Sequence, residues 1–316
     1  MSKLLSALVV AVLALSGCGT ASSADGPVVL KVGDQKGGSK ALLTAAGLLE
    51  DFPYPIEWST FTSGPPLLEA ASAGAIDVGG VGNTPPIFAA AANARIAAVY
   101  SAKGSVEGDA LLVPSDSAVR TVQDLKGRGI AVAKGSSAHG QVLLTLAAAG
   151  LSTKDVTLNF LQPSDAYSAF TQKRVDAWAV WDPYTAQAEL EAGARVLTDG
   201  RGKSNGYTFQ VAGRAALGSP GKGEAIKEFV KRISRAQRWA DAHREEWARV
   251  WAAETGLKPE VARAAVERGG DLPVPLDDAV IASEQELADA FTADGALPGA
   301  VRFRDFVDTR FQGELS

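Results

Sequence analysis

Four short segments of this 316-residue chain gather glycine, serine, threonine and asparagine where an apolar run ends and a helical pattern starts. The first is Gln35-Lys36-Gly37-Gly38-Ser39-Lys40. Its glycines let backbone N–H groups approach a ligand, and a helix start carries about half a positive charge, although a plain tight turn uses glycines in the same way. From Gly33 to Lys40 the order is G-x-x-x-x-G-S-K. A phosphate loop needs lysine directly after the last glycine and Ser or Thr after that, so ATPase chemistry fails on order.

The second segment is Gly80-Val81-Gly82-Asn83-Thr84-Pro85-Pro86, where Asn83 and Thr84 serve either as donors to a ligand or as caps of a Pro-started helix. The third, Lys134-Gly135-Ser136-Ser137-Ala138-His139, opens a long apolar helix. Its consecutive serines offer hydroxyl and backbone N–H donors to one oxyanion, whereas stability alone needs a single capping serine. His139 lies about one turn inside that helix, and no carboxylate nearby marks it as a base. In the fourth segment, residues 176–184, Trp181, Asp182 and Tyr184 end a strand. They form either a pocket wall with a polar tip, or a capping aspartate above core tryptophans.

Other candidates read as structure. Trp239, His243, Trp247 and Trp251 recur every four residues, which predicts a packing stripe on one helix face. The adjacent acids Glu50-Asp51 and Asp277-Asp278 sit on irregular segments and define no acid/base pair.

These segments need strands and helices to hold them. Residues 28–33, 56–61, 76–81, 96–101 and 111–114 read as strands, with helices over 40–49 and 65–73. Polar residues 115–117 mark a crossover, after which strands at 129–133, 156–161 and 177–181 alternate with helices at 138–149 and 164–172. Strands at 196–197 and 208–212 return toward the first set, and charged amphipathic helices over 222–253 and 258–265 are expected outside the first domain. Such alternation predicts an α/β fold with mostly parallel sheets, whose ligands bind where strands end and helices begin.

The composition fits an ordinary globular chain of two domains, with 46% hydrophobic and 21% charged residues. Its 31 basic and 36 acidic residues give a net charge of -5 with no long basic run, which argues against a nucleic-acid partner. One cysteine, Cys18, removes internal disulfides and multi-cysteine metal sites. It closes a basic start and an apolar run over 4–15, the form of a secretory signal too short to span a bilayer.

The tetrad Leu15-Ser16-Gly17-Cys18 resembles the lipobox of bacterial lipoproteins. That likeness implies a signal peptide over 1–17, lipidation of Cys18, a tether over 18–27, and a location outside the cytoplasm, anchored to the cell membrane through lipid only. Further on, QKGGSK, GNTPPIFAAA, DLKGRGIAVAKGSSAH and VDAWAVWDPY, in that order, resemble the aliphatic-sulfonate-binding proteins of bacterial ABC importers. Nitrate, taurine and thiamine-precursor binders share the architecture.

The resemblance implies a two-lobed periplasmic-binding-protein fold of type II, with a ligand cleft between lobes and a two-strand hinge. Lobe 1 would take residues 28–117 and 213–316 and lobe 2 residues 118–212, with crossings near 114–117 and 210–214. The cleft would be lined by Gln35, Gly38, Ser39, Asn83, Thr84, Ser136, Ser137, Trp181 and Asp182. The ligand tail would lie on Trp181 and on Tyr184 or Tyr207, and closure would present the cleft to a permease with its ATPase. The resemblance implies a monomer without catalytic residue, metal or cofactor, binding a small anion. Asn83 stands where relatives often carry aspartate, and Lys40 adds a base, which together favour an anionic ligand end over an amine. The other functions open to this fold are binding of nitrate, taurine or a pyrimidine, an enzyme, and a sensor lipoprotein.

Overall fold

A computed structural model describes residues 27–297 and 299–314. The signal sequence, Cys18 and the tether up to residue 26 lie outside the described residues. The first stretch runs β1 (Leu30–Gln35), α1 (Ser39–Ala45), β2 (Ile56–Phe61), α2 (Gly64–Ser72), β3 (Val78–Gly82), α3 (Thr84–Ala91) and β4 (Ile96–Lys103). Then follow β5 (Ala110–Val113), β6 (Gly129–Val132), α4 (Ser137–Ala148), β7 (Thr157–Phe160), α5 (Pro163–Thr171), β8 (Ala177–Val180), α6 (Tyr184–Ala192) and β9 (Arg195–Asp199). The last stretch is β10 (Tyr207–Gly213), α7 (Arg214–Gly218), α8 (Pro220–Ala242), α9 (Arg244–Thr255), α10 (Pro259–Glu267), β11 (Leu272–Val274) and α11 (Asp278–Asp294).

Two sheets result, ordered β11-β4-β10-β3-β1-β2 and β7-β6-β8-β5-β9. Each is covered on both faces. On the first sheet, Leu67, Ile87 and Phe291 pack on one side and Leu43, Phe229 and Ile233 on the other. On the second, Val142 and Leu146 oppose Phe170 and Trp178. Close helix packing explains two glycines: a Cβ at Gly33 would fall 2.4 Å from Ile76 Cδ1, and one at Gly79 2.8 Å from Leu67 Cδ2.

The chain leaves the first sheet across residues 104–109 and returns across 200–206, earlier than the crossings expected at 114–117 and 210–214. β5, placed by the sequence in the first lobe, pairs with β8 and β9 of the second sheet. All four of its side chains are buried, as a strand covered on both faces requires. The polar residues 115–117 make a turn within that second unit, with Ser117 N–H bonded to Pro114 O at 3.0 Å.

The strand arriving over each crossover also departs from the mostly parallel expectation. β10 runs antiparallel to β3 and β4, and β5 antiparallel to β8 and β9, because each enters its sheet from the far end. The charged stretch 222–253 forms two helices, α8 and α9, which meet at His243 with φ -126° and ψ 47°. α8 covers the first sheet as expected, but α10 leans on α6 of the second unit through Val261, Ala265 and Ala186.

Candidate functional site

The ends of β1, β3, β6 and β8 face one cavity of about 370 Å³ between the two sheets. Eight of the nine residues expected in a cleft line it: Gln35, Gly38, Ser39, Asn83, Ser136, Ser137, Trp181 and Asp182. Thr84 does not. It is fully buried, and its Oγ1 lies 2.5 Å from where a Cβ on Gly140 would stand.

The first segment holds its own anion. Asp34, 8% exposed, accepts hydrogen bonds from Ser39 N–H at 2.7 Å and Lys40 N–H at 3.1 Å. The opening of α1, read as a place for a ligand anion, is therefore occupied by a carboxylate of the chain. Burial raises the Asp34 carboxyl, and the backbone N–H bonds oppose that rise. Gly38 makes room for it, since a Cβ there would meet Asp34 Oδ1 at 2.4 Å. Gln35 Nε2 donates to Gly80 O at 2.9 Å and ties the first segment to the second. Lys40 is exposed and absent from the cavity wall, so it brings no base to a ligand.

In the second segment the side-chain donors are spent internally. Asn83 Nδ2 donates to Asn205 Oδ1 at 2.8 Å, and Thr84 Oγ1 to Asn83 Oδ1 at 3.0 Å. Pro85 and Pro86 have no N–H to offer from the start of α3. Asn205 belongs to the return crossing and also donates to Glu284 Oε1 at 2.7 Å. Glu284 is fully buried, and burial pushes its carboxyl up to about 8.

The third segment keeps free donors. Ser136 caps α4: its hydroxyl donates to Ala133 O at 2.7 Å and accepts from His139 N–H at 3.3 Å. Among the described residues the amides of Ser137 and Ala138 make no bond, as the opening of a helix dictates. Ser137 stands over the second segment, its Cβ 3.2 Å from the Cβ position of Gly82. His139 accepts from Gly135 N–H at 3.2 Å and sits among Phe88, Phe160 and Phe291, with ring centroids 5.3 to 5.7 Å away. Burial lowers it to about 4, so it is a neutral packed ring.

At the fourth segment Asp182 accepts two bonds from Arg268 Nη1, at 2.7 and 2.8 Å, and one from Ala186 N–H at 3.1 Å. Arg268 extends its other nitrogen to Glu189. Asp182 thus holds an amide of the first turn of α6 and is an ion-pair partner at once. Burial raises its carboxyl, and the guanidinium opposes that rise. Trp181, half-buried, meets Tyr184 edge to face at 6.1 Å.

Several cavity residues escaped the sequence reading. Arg268 and Asp271 flank Gly269-Gly270 at the exit of α10, a cation and an acid around a glycine pair that could have been noticed. Asp109 carries no comparable signal; burial pushes it up to about 7, while a bond from Ser204 Oγ at 3.0 Å works the other way. Asp271 is also raised by burial, against a bond from Thr208 Oγ1 at 3.0 Å. Gln210, 6% exposed, lines the cavity with an Oε1 that has no partner among the described residues. Trp247 and Trp251 line it too, so half of the expected packing stripe faces the cavity instead.

Comparison with known proteins adds three findings. The model of the NMT1-like family matches residues 42–255. A protein of Escherichia coli strain K12 named for aliphatic-sulfonate binding is 35% identical over 91% of this chain and 92% of its own. One from Bacillus subtilis strain 168, named in the same way, is 31% identical over 98% and 96%. Among solved structures, the alkanesulfonate-binding protein SsuA from Xanthomonas axonopodis pv. citri, bound to MOPS, superposes with a TM-score of 0.84. It is 37% identical, over 90% of this chain and 100% of that one.

Proposed function

Since the chain belongs to the NMT1-like family, we propose that it is the substrate-binding component of an ABC importer for sulfonates. The observation that carries this reading is the opening of α4, where two amides make no bond among the described residues and Ser137, which carries one of them, lines a cavity shared with the ends of β1, β3 and β8. A sulfonate keeps one negative charge at physiological pH and accepts hydrogen bonds without donating any, so helix-start N–H groups suit it. Ser137 is the residue we assign to the oxyanion. Gln35, Ser39 and Trp181 belong to the same wall, and Asn83, Ser136 and Asp182, also part of it, hold it in shape through their bonds to other parts of the chain.

The protein binds and does not transform its ligand. His139 is a neutral buried ring, and Cys18 lies in the lipobox-like tetrad, where acylation would consume it. That acylation anchors the chain outside the cytoplasm, where it closes on ligand and docks on a permease as a monomer. The alternatives of nitrate, a pyrimidine, an enzyme or a sensor have no such residue-level support.

A second reading within the same class rests on a different observation. Asp109 and Asp271 put two carboxyl groups into the cavity wall, against the expectation that this cleft disfavours an amine. An aminosulfonate such as taurine would use them for its ammonium. Thermal melting of the mature chain with ethanesulfonate, taurine, MOPS, nitrate, sulfate and phosphate separates these cases. A rise confined to sulfonates is expected, about 2.7 kcal/mol of stability at a hundredfold excess over Kd. A response to nitrate alone, or to none of the six, refutes sulfonate binding.

A further inference from the structure

We propose that Trp247 and Trp251 form a second subsite of this cleft, built for a flat ring-bearing tail, so that the ligands selected are arylsulfonates in preference to short alkanesulfonates. This rests on the sulfonate reading above and deepens it.

α9 is arranged the wrong way round for a packing helix. It buries Ala248, Ala252 and Thr255 and leaves Trp247 and Trp251 half-buried on the cavity. Large aromatic surfaces gain most from burial, and while Trp251 rests in part on the Ala186–Val261–Ala265 cluster, Trp247 joins no such cluster and keeps its surface for something else. The two rings are stacked on each other, 12° apart with centroids at 5.4 Å, a preformed pair whose outer faces are flat.

That wall is fixed to the polar end of the cleft. Gly37, in the first segment, has φ +73°, and a Cβ there would fall 1.8 Å from Trp251 Nε1. Only a glycine lets the indole edge lie on the loop that carries Gln35 and Ser39. The Nε1 itself is buried without an acceptor among the described residues, so contact sets the ring's position. Leu42, Ile233 and Ala240 extend the apolar lining. Arg244, at the start of α9 and held by Asp241, also lines the cavity and adds a cation to it.

Size points the same way. A cavity of about 370 Å³ holds roughly a dozen water-sized groups at ~30 Å³ each, about twice the non-hydrogen atoms of ethanesulfonate. A short ligand would leave indole and aliphatic surface against trapped water. A ring on a sulfonate would fill that space and stack on Trp247.

Titration calorimetry of the whole mature protein with ethanesulfonate, benzenesulfonate and 2-naphthalenesulfonate tests this. The aryl ligands are expected to bind at least tenfold more tightly than ethanesulfonate. In Trp247→Ala that ratio should fall to about one, and in Trp247→Phe, which keeps a ring and guards against a folding defect, most of it should return. Ethanesulfonate binding as tight as the aryl ligands, or a ratio unchanged in Trp247→Ala, overturns the subsite and leaves the sulfonate reading standing. Binding of none of the three overturns both.

Discussion

Asp182, where β8 gives way to α6, takes both of its strongest hydrogen bonds from one nitrogen of Arg268, at the end of α10. The pair joins the second-sheet unit to the α9–α10 hairpin, and its side chains are only 15% and 20% exposed. Arg268→Ala would leave Asp182 and Glu189 without their shared cation. Breaking such a pair, discounted for its partial exposure, should cost about 2–3 kcal/mol, read as a lower urea midpoint at unchanged slope. An Asp182→Asn, Arg268→Ala double variant should recover part of the loss.

Ser136 and Ser137, adjacent in sequence, should behave as opposites. Ser136 caps α4, so Ser136→Ala is expected to cost ~1 kcal/mol of stability. Ser137 points at the cavity, so Ser137→Ala should weaken sulfonate binding about tenfold, the loss of one hydrogen bond to a charged group, with little change in melting temperature. Equal effects of the two changes on binding would remove Ser137 from the site.

Glu284 gives the fold a built-in pH response. Its carboxyl is raised by burial from 4.5 to about 8, so the folded protein holds a proton that the unfolded chain releases. Stability from this group is complete below pH ~4.5 and declines as pH rises toward 8. Glu284→Gln keeps the bond from Asn205 and removes the titration. Its melting temperature should exceed the parent's by several degrees at pH 8.5, at about 2–4 °C per kcal/mol, and match it near pH 4.5.

Asp109, raised to about 7, should make affinity depend on pH in opposite directions for two ligands. Taurine binding should tighten as pH climbs from 6 to 8 and the carboxylate forms. Ethanesulfonate binding should weaken over the same interval, each by up to about tenfold. Asp109→Asn should flatten both profiles.

Much of this was legible from residue order. The strand–helix alternation and the four polar segments are local patterns, and of the nine residues that the family resemblance placed on those segments eight line one cavity. What escaped depends on distant partners. That Asp34 would satisfy Ser39 and Lys40 is a matter of loop geometry, and that Asn83 would spend its amide on Asn205 depends on a contact across 122 positions. The tryptophan stripe shows the limit most clearly. Periodicity of four fixes a common helix face, but whether that face meets core or cavity depends on the break at His243, which turns α9 away from the line of α8.

The antiparallel insertion of β10 sets an order of assembly. Until residue 213 has been made, β4 has no hydrogen-bonded link to β3, because β10 is the strand between them. The second sheet, by contrast, is complete once residue 199 is present. A chain emerging from its N-terminus can therefore finish its second lobe first, while the lobe begun earliest waits, exposing the unpaired edges of β3 and β4.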